Sequence, residues 1–422
     1  MRVLLVGGGG REHAMAWALS RSPRVERLVW APGNGGADGK VPTAHVPAED
    51  VSGLVALAGK ERADLVAVGP EVPLAMGLAD ALAREGIACF GPTAGAARLE
   101  SSKVFAKEFC VRNRIPTGDF RVFGDGGAAR EYLESYSGPF PLVLKADGLA
   151  AGKGVLVCAS REEALAGSEE ILVRKAFGAA GDRMLVEEFL PGEEASLMVF
   201  TDGEDFALMP PARDFKRVGD GDTGPNTGGM GAFCPAGALD TDLLDRSVRE
   251  IIAPALEAMR REGTPFRGVL YAGLMLGPSG PKVLEFNCRF GDPETQVVLP
   301  RLETDLAEVL WACATGSLRR VRLAWRSEAA VTVVLCSEGY PGSYPKGRPI
   351  RGIAEAESLE GVTVFHAGTR REGGQPVTSG GRVLNVTALG STVAVARDRA
   401  YAAAARIGFE GMHFRKDIAG AV

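Results

Sequence analysis

The sequence is short of the side chains that metal and nucleophile chemistry usually draws on. Only four histidines occur in 422 residues, at 13, 45, 366 and 413. They lie far apart, which leaves little for a zinc site or a Ser-His-Asp triad. The seven cysteines are scattered, odd in number and form no Cys-x-x-Cys. That pattern favours free thiols in a reducing compartment over a disulfide framework. A surplus of positive charge is missing too. The net charge is −5, so non-specific binding to nucleic acid or to an anionic membrane is not expected as a main task. No apolar run approaches the ~20 residues that a membrane-spanning helix needs. Residues 2–6 enter a strand pattern directly, with no signal peptide ahead of them. The expected setting is the cytoplasm.

Two familiar nucleotide motifs are also lacking. A dinucleotide fingerprint should follow the first strand, but counting from Gly7 or Gly8 puts Glu12 or His13 at its third glycine position. The second strand ends Trp30-Ala31-Pro32, with no acid for a ribose hydroxyl. A Walker A loop needs four residues between its glycines, then Lys and Ser/Thr. Gly148 and Gly152 have three between them, Gly154 follows Lys153, and residues 155–158 read as a strand where a helix is required.

What is present is a globular chain with 46% apolar and 24% charged residues, long enough for two to four domains. Residues 1–100 alternate continuous apolar strands (3–6, 28–30, 65–68, 87–90) with helices (12–21, 72–85). This is the pattern of a doubly wound parallel sheet. The glycines at 7–10 lie between a strand and a helix, where backbone N–H groups can cradle an anion; a tight structural turn is the alternative. A helix over 101–113 places Lys103 and Lys107 on one face. Both can simply be solvated, but Lys103 is near the helix start and is the phosphate candidate. Residues 119–190 form a compact α+β unit with the size of a lid. At its centre, 145–155 reads Lys-Ala-Asp-Gly-Leu-Ala-Ala-Gly-Lys-Gly-Val. That is either a glycine-tipped hairpin closing over phosphates or a flexible hairpin with two solvated lysines.

Further on, Glu187 to Glu194 leaves its strand in an acidic run. Its free backbone groups suit an adenine edge and Glu194 the ribose hydroxyls; an acidic surface loop is the plain alternative. Residues 213–233 hold six glycines among many polar groups, costly to order without a ligand. They read as a disordered loop or as a substrate loop, in which Asp214, Lys216 and Arg217 suit a zwitterion. An amphipathic helix over 242–262 is expected to bend at Pro254. Strands 269–276 and 282–286 make a hairpin, and alternation puts Glu285, Asn287 and Arg289 on one face, opposite Leu284, Phe286 and Cys288. Two hard oxygen ligands suit Mg²⁺, and an Arg beside them suits a carboxylate or phosphate. From 325 the texture changes to short strands (330–336, 362–367, 382–388) and a final helix (391–407), read as a separate β-rich domain with no catalytic constellation of its own.

With these pieces the chain resembles the ATP-grasp ligases and, among them, the glycinamide ribonucleotide synthetase family. The matching stretches are 8–13, 31–34, 68–71, 91–93, 145–155, 192–196, 222–231, 285–296 and 365–369, in family order over nearly the whole chain. The resemblance implies a fold of mixed α/β and α+β type: an N-terminal doubly wound parallel sheet (1–101), an ATP-grasp core (102–324) with its lid at about 119–190, and a small β-rich C-terminal domain (325–422). It implies a carbon–nitrogen ligase of purine biosynthesis. ATP would phosphorylate the carboxylate of glycine, and the amine of 5-phosphoribosylamine would attack the glycyl phosphate. Positioning and charge neutralisation would supply the catalysis.

The implied roles are these. Lys103, Lys145, Gly152, Lys153 and Gly154 hold phosphates; Glu187 and Leu190 border the adenine and Glu194 the ribose. Glu285 and Asn287 hold Mg²⁺ (or Mn²⁺). Arg289, with Asp214, Lys216 and Arg217, holds glycine and the acyl phosphate. Gly9, Gly10, Arg11 and Glu71, with Asp292 and Glu294, meet the phosphoribosylamine, its phosphate on the glycines. A monomer without nucleic-acid or membrane partners is expected. Two departures stand out. Phe215 occupies a position where the family commonly has His, which argues for stacking over catalysis there. The strand 271–275 carries no acid, so metal ligation rests on two side chains and the phosphates. The rival readings are another ATP-grasp carboxylate–amine ligase and a nucleotide-sensing protein without turnover.

Overall fold

The computed structural model describes residues 1–37, 39, 41–149 and 154–420. It opens with a four-stranded parallel sheet in the order Arg27–Pro32, Arg2–Gly7, Leu65–Val68, Ala88–Phe90. Leu4, Leu5 and Val6 are fully buried, as are Leu65, Val66 and Ala67. Strands covered on both faces have to be apolar throughout, which is why no alternation is visible in them. The helix expected over 72–85 is two, Glu71–Ala75 and Leu78–Arg84. Gly77 between them has a φ of +88°, a left-handed conformation that ends one helix and starts the next.

The helix expected over 101–113 forms as Lys103–Arg112. Ala94–Ser101 stops at Ser102, whose backbone is extended, and Lys103–Arg112 begins there with the Ser102 hydroxyl accepting from the Phe105 N–H at 3.1 Å. The serine caps the second helix by satisfying one of its free donors.

Two antiparallel sheets follow. One has the order Phe120–Phe123, Met184–Glu188, Leu142–Ala146, Val155–Cys158, with Lys145 opposite Val155 at the hairpin's mouth. The other runs Phe206–Leu208, Glu193–Asp202, Arg267–Gly277, Gly280–Asn287. Its last hairpin has a register shift: Gly273 pairs with Glu285, but Leu274 pairs with Val283. The extra residue is Leu284. A bulge of this kind breaks strict alternation. Val283, Phe286 and Cys288 face the core, while Leu284 is half-buried and lines the cleft described below. Leu284 is thus not on the core face that simple alternation assigns to it.

The bend in the amphipathic segment is carried by a π-helical turn at Val248–Ile252, directly ahead of Pro254, between helices Thr241–Ser247 and Ala253–Arg261. An inserted residue in the helical ladder bends it as effectively as a proline.

The last sheet is the main departure from the sequence reading. Strands Ala329–Ser337, Arg382–Gly390 and Val362–His366 pair as expected, with helix Val393–Ala404 packed on them. The sheet continues through Gly231–Cys234 and Arg213–Asp214. The glycine-rich segment 213–233 is therefore ordered, and its two ends are strands of the C-terminal sheet.

Three aromatic rings join the layers. Phe90 from the first sheet, Phe200 from the third and Phe290 lie 5.7 to 6.5 Å apart between centroids, all buried. Phe290 pins the 285–296 stretch where the layers meet. Among the described residues no helix is long and apolar enough to cross a membrane.

Candidate active site

A cleft of about 990 Å³ lies between these layers. The third sheet is its floor, the second sheet overhangs it, and residues of the first and last sheets close its ends. A smaller cavity of about 420 Å³, near Trp17 and Arg326, contains none of the candidate site residues.

Glu285, Asn287 and Arg289 are brought together on the floor. Glu285 is driven up in proton affinity by burial, but Lys216, Lys145, Lys103 and Arg289 outweigh that and hold its pKa below the usual carboxylate value. It stays ionised. Asn287 is 6% exposed; its Oδ1 accepts from Arg289 at 3.1 Å and its Nδ2 has no partner. Arg289 also donates to Glu71 at 3.2 Å, to Glu100 at 2.7 Å and to the Phe290 carbonyl at 3.3 Å. Burial works to raise Glu71, yet Arg289 and Arg11 leave it lowered. For Glu100 burial prevails and the pKa is raised. Among the described residues no group of three or more His, Cys, Asp or Glu could hold a metal ion. One ionised carboxylate beside one amide fits a hard cation that takes its remaining oxygens from phosphates and water.

At the overhang, Lys145 Nζ lies 2.9 Å from Glu187 and 3.0 Å from the Leu284 carbonyl. Lys107 is not solvated. It is buried, 2.9 Å from the same Glu187 oxygen and 2.8 Å from the Thr117 hydroxyl. The other Glu187 oxygen, Oε1, is buried without a partner among the described residues. Such an acceptor is costly while unpaired and suits an incoming N–H donor. Lys103 donates to the Gly148 carbonyl at 2.9 Å; burial lowers its pKa. Gly154 and Leu190 line the cleft. Gly152 and Lys153 lie outside the described residues.

The zwitterion group is only partly assembled. Lys216 Nζ is 2.5 Å from Glu194 Oε2 and 3.8 Å from Asp214. Glu194, the ribose candidate, thus holds a lysine assigned to another substrate. Burial pushes the Asp214 carboxyl up to about 7, against Lys216 and with the help of Glu294, Glu194 and Glu285. Arg217 is drawn into its own hairpin, donating to the Gly224 carbonyl at 2.6 Å. Phe215 has Arg213 at 5.6 Å and Arg415 at 5.1 Å over its ring, and packs 6.1 Å from Phe233. That is a stacking role. Glu294 is 3% exposed and accepts from Tyr271 at 2.9 Å and Ser196 at 3.2 Å.

The turn at 7–10 is occupied from within. The buried Glu12 carboxylate accepts from the Gly9 N–H at 2.6 Å and from Arg11 at 2.5 Å. Gly9 sits beside Asp292, which a Cβ there would meet at 3.3 Å; Gly10 instead packs against Gln296 and Asn385 and does not line the cleft. Arg11, Asp292 and Glu294 do line it. Asp292 is held by Gln296 at 2.7 Å and by Arg382 at 3.2 Å. Arg382 comes from the C-terminal sheet and also donates to the carbonyls of Gly228 and Asp292. Sequence reasoning missed it, along with Glu100, Ser196 and Tyr271. Ser196 closes the 192–196 stretch on which the resemblance rests, so a signal was there for it; Arg382, Glu100 and Tyr271 are joined to the site only by the fold.

A parallel N-terminal sheet, an ATP-grasp core and a β-rich C-terminal sheet around one cleft of lysines, arginines and carboxylates define an ATP-grasp carbon–nitrogen ligase. The biotin carboxylase domain of 2-oxoglutarate carboxylase from Hydrogenobacter thermophilus has the same fold, with a TM-score of 0.72 over 97% of this chain and 91% of that one at 18% identity. The chain belongs to the phosphoribosylglycinamide synthetase family. The family's N domain matches residues 1–100, its ATP-grasp (A) domain 101–295 and its C domain 330–421. The phosphoribosylamine–glycine ligase of Agrobacterium fabrum is 49% identical over 99% of this chain and 98% of its own length. The trifunctional purine biosynthetic protein adenosine-3 of chicken is 51% identical, and this chain spans 42% of that longer protein. A crystal structure of the ligase from Thermotoga maritima superposes with a TM-score of 0.85 at 35% identity, over 99% of this chain and all of that one.

Proposed function

We propose that the chain joins glycine to 5-phosphoribosylamine at the expense of ATP, giving glycinamide ribonucleotide, ADP and phosphate in purine biosynthesis. The observation that carries this reading is the convergence of Lys103, Lys145, Lys216 and Arg289 on an ionised Glu285, in a cleft of a chain whose family is that of these ligases.

The first step puts a glycine carboxylate oxygen on the γ-phosphorus of ATP and releases ADP. In the second, the amine nitrogen of phosphoribosylamine bonds to the acyl carbon, phosphate leaves with the bonding pair, and the nitrogen loses a proton. No protein nucleophile is needed. Lys103, Lys145, Gly152, Lys153 and Gly154 screen the phosphates. The free Glu187 oxygen accepts from the exocyclic amine of adenine, Leu190 lies against the ring, and Glu194 turns to the ribose. Glu285 and Asn287 hold a divalent cation, Mg²⁺ or Mn²⁺, which would neutralise phosphate oxygens. Arg289 holds the glycine carboxylate and later the acyl-phosphate oxygens, with Asp214, Lys216 and Arg217 around the ammonium and the departing charge. Arg11, Glu71, Asp292 and Glu294, beside Gly9, receive the ribosylamine. Gly10 serves the same end as a close-packing position.

The test is ADP release with Mg²⁺, phosphoribosylamine and each of several amino acids in turn. Glycine is expected to stand alone. An equal response to alanine or serine would move the substrate to another ATP-grasp ligation, and absence of steady turnover would leave a nucleotide-binding protein. Glu285→Gln should lower steady turnover by about 100-fold or more, on the scale of losing one charge-stabilising group, while an ATP analogue still binds.

A further inference from the structure

Glu100 has no partner in the reaction just described, yet it makes two short polar contacts at the site. One carboxylate oxygen accepts from the backbone N–H of Cys288 and the other from the Arg289 guanidinium, both at 2.7 Å. We infer that Glu100 is a positioning residue: it brackets the end of strand Gly280–Asn287 and presets Arg289 and Asn287 toward the cleft.

Two carboxylates, which differ in how freely each could leave it for a substrate, share Arg289. Glu71 does so through one bond of 3.2 Å, with its side chain 24% exposed. Glu100 does so at 2.7 Å with its side chain 8% exposed and its second oxygen already committed to the backbone. Glu71 therefore has the freedom to turn to substrate hydroxyls, and Glu100 does not. When Glu71 turns away, Glu100 is the carboxylate left to fix a long side chain that is otherwise costly to immobilise. The Asn287 amide takes its orientation from the same guanidinium, whose Nη2 reaches its Oδ1 at 3.1 Å.

The location fits the role. Glu100 lies at the end of helix Ala94–Ser101. The next residue but one, Ser102, bonds Asp147 at 3.0 Å, and Lys103 reaches the Gly148 carbonyl. One helix junction thus holds the strand end with Arg289 on one side and the phosphate-facing turn on the other. Partners that orient a ligating or substrate-holding side chain typically contribute tenfold to a hundredfold.

The inference rests on the ligation reading only in giving Arg289 to glycine. Glu100→Gln keeps the shape and an oxygen for Cys288 but presents an NH₂ to the guanidinium. We expect glycine-dependent kcat to fall about 10- to 100-fold with a raised KM for glycine, an unchanged KM for ATP and an unshifted melting temperature. The second readout needs no turnover. In the wild type the Nη protons of Arg289, assigned by their loss in Arg289→Lys, should give resolved ¹H–¹⁵N signals because the ion pair slows rotation. In Glu100→Gln they should merge. Unchanged Arg289 signals, or unchanged kcat alongside merged signals, would overturn the inference. A wild type indifferent to glycine would instead sink the ligation reading, and the Arg289 signals would still decide whether the bracket exists.

Discussion

Glu12 explains three glycines at once. Its carboxylate is buried, and a Cβ at Gly7 would sit 2.6 Å from its Cγ, one at Gly9 2.8 Å from its Oε2, and one at Gly69 would overlap its Oε1. Gly69→Ala should therefore lower the unfolding free energy by about 1–3 kcal/mol, the usual cost of overpacking, measured by urea denaturation. Gly59 lies in helix Val51–Glu61 with open space where its Cβ would go. Gly59→Ala should raise stability by about 1 kcal/mol through helix propensity alone. If both behave alike, packing around Glu12 is not what these glycines serve. The same turn shows how far residues could be read from sequence. The glycines announced that something comes close to the backbone. They did not say that the protein's own carboxylate would be among what comes close. Lys107 is a parallel case: helical spacing set its face, but only the fold brings Glu187 against it.

At the scale of elements, the N-terminal turn is clasped to the C-terminal sheet by histidine. The backbone N–H of His366 donates to His13 Nδ1 at 2.7 Å, and the Asn34 amide donates to the carbonyls of Gly8 and His366. His13 must be neutral to accept. Burial lowers its pKa to about 4, and burial with help from His13 lowers that of His366 to about 3. Above pH 6.5 both rings are neutral in the folded and unfolded chain, so they cost nothing. As pH falls from 6.5 toward 4 the unfolded chain takes up protons that the folded one refuses, and stability declines by up to about 1.4 kcal/mol per pH unit per histidine. His366→Gln should make the stability curve shallower between pH 6 and 4.5 by up to that slope; an identical slope would show that the ring is not held neutral. Elements themselves were largely legible, because buried strands and capped helices carry periodicity. What escaped were single-residue events: the bulge at Leu284 and the left-handed Gly77.

For the whole molecule, the order of layers followed from the alternating strands and helices of residues 1–100 and from the change of texture near 325. The joining of 213–234 to the C-terminal sheet did not. Its pairing partners lie about a hundred residues on, and a glycine-rich segment has no period to reveal a strand. The consequence is testable. A chain ended at residue 324 loses the strand that pairs with Gly231–Cys234 and loses Arg382 from Asp292. It should show no glycine-dependent ADP release and should bind a hydrophobic dye through the uncovered strands. Retained turnover would mean that the loop is seated without the sheet.

The shared sheet also sets a clock. During synthesis, strand Gly231–Cys234 leaves the ribosome before the strand it pairs with, Ala329–Ser337, and well before Arg382–Gly390, which carries the arginine that clamps Asp292. At about 5–20 residues per second that is a wait of several seconds to half a minute with one edge of strand Gly231–Cys234 unpaired. The second and third sheets are complete before then, so the C-terminal strands are the last part of the cleft to form.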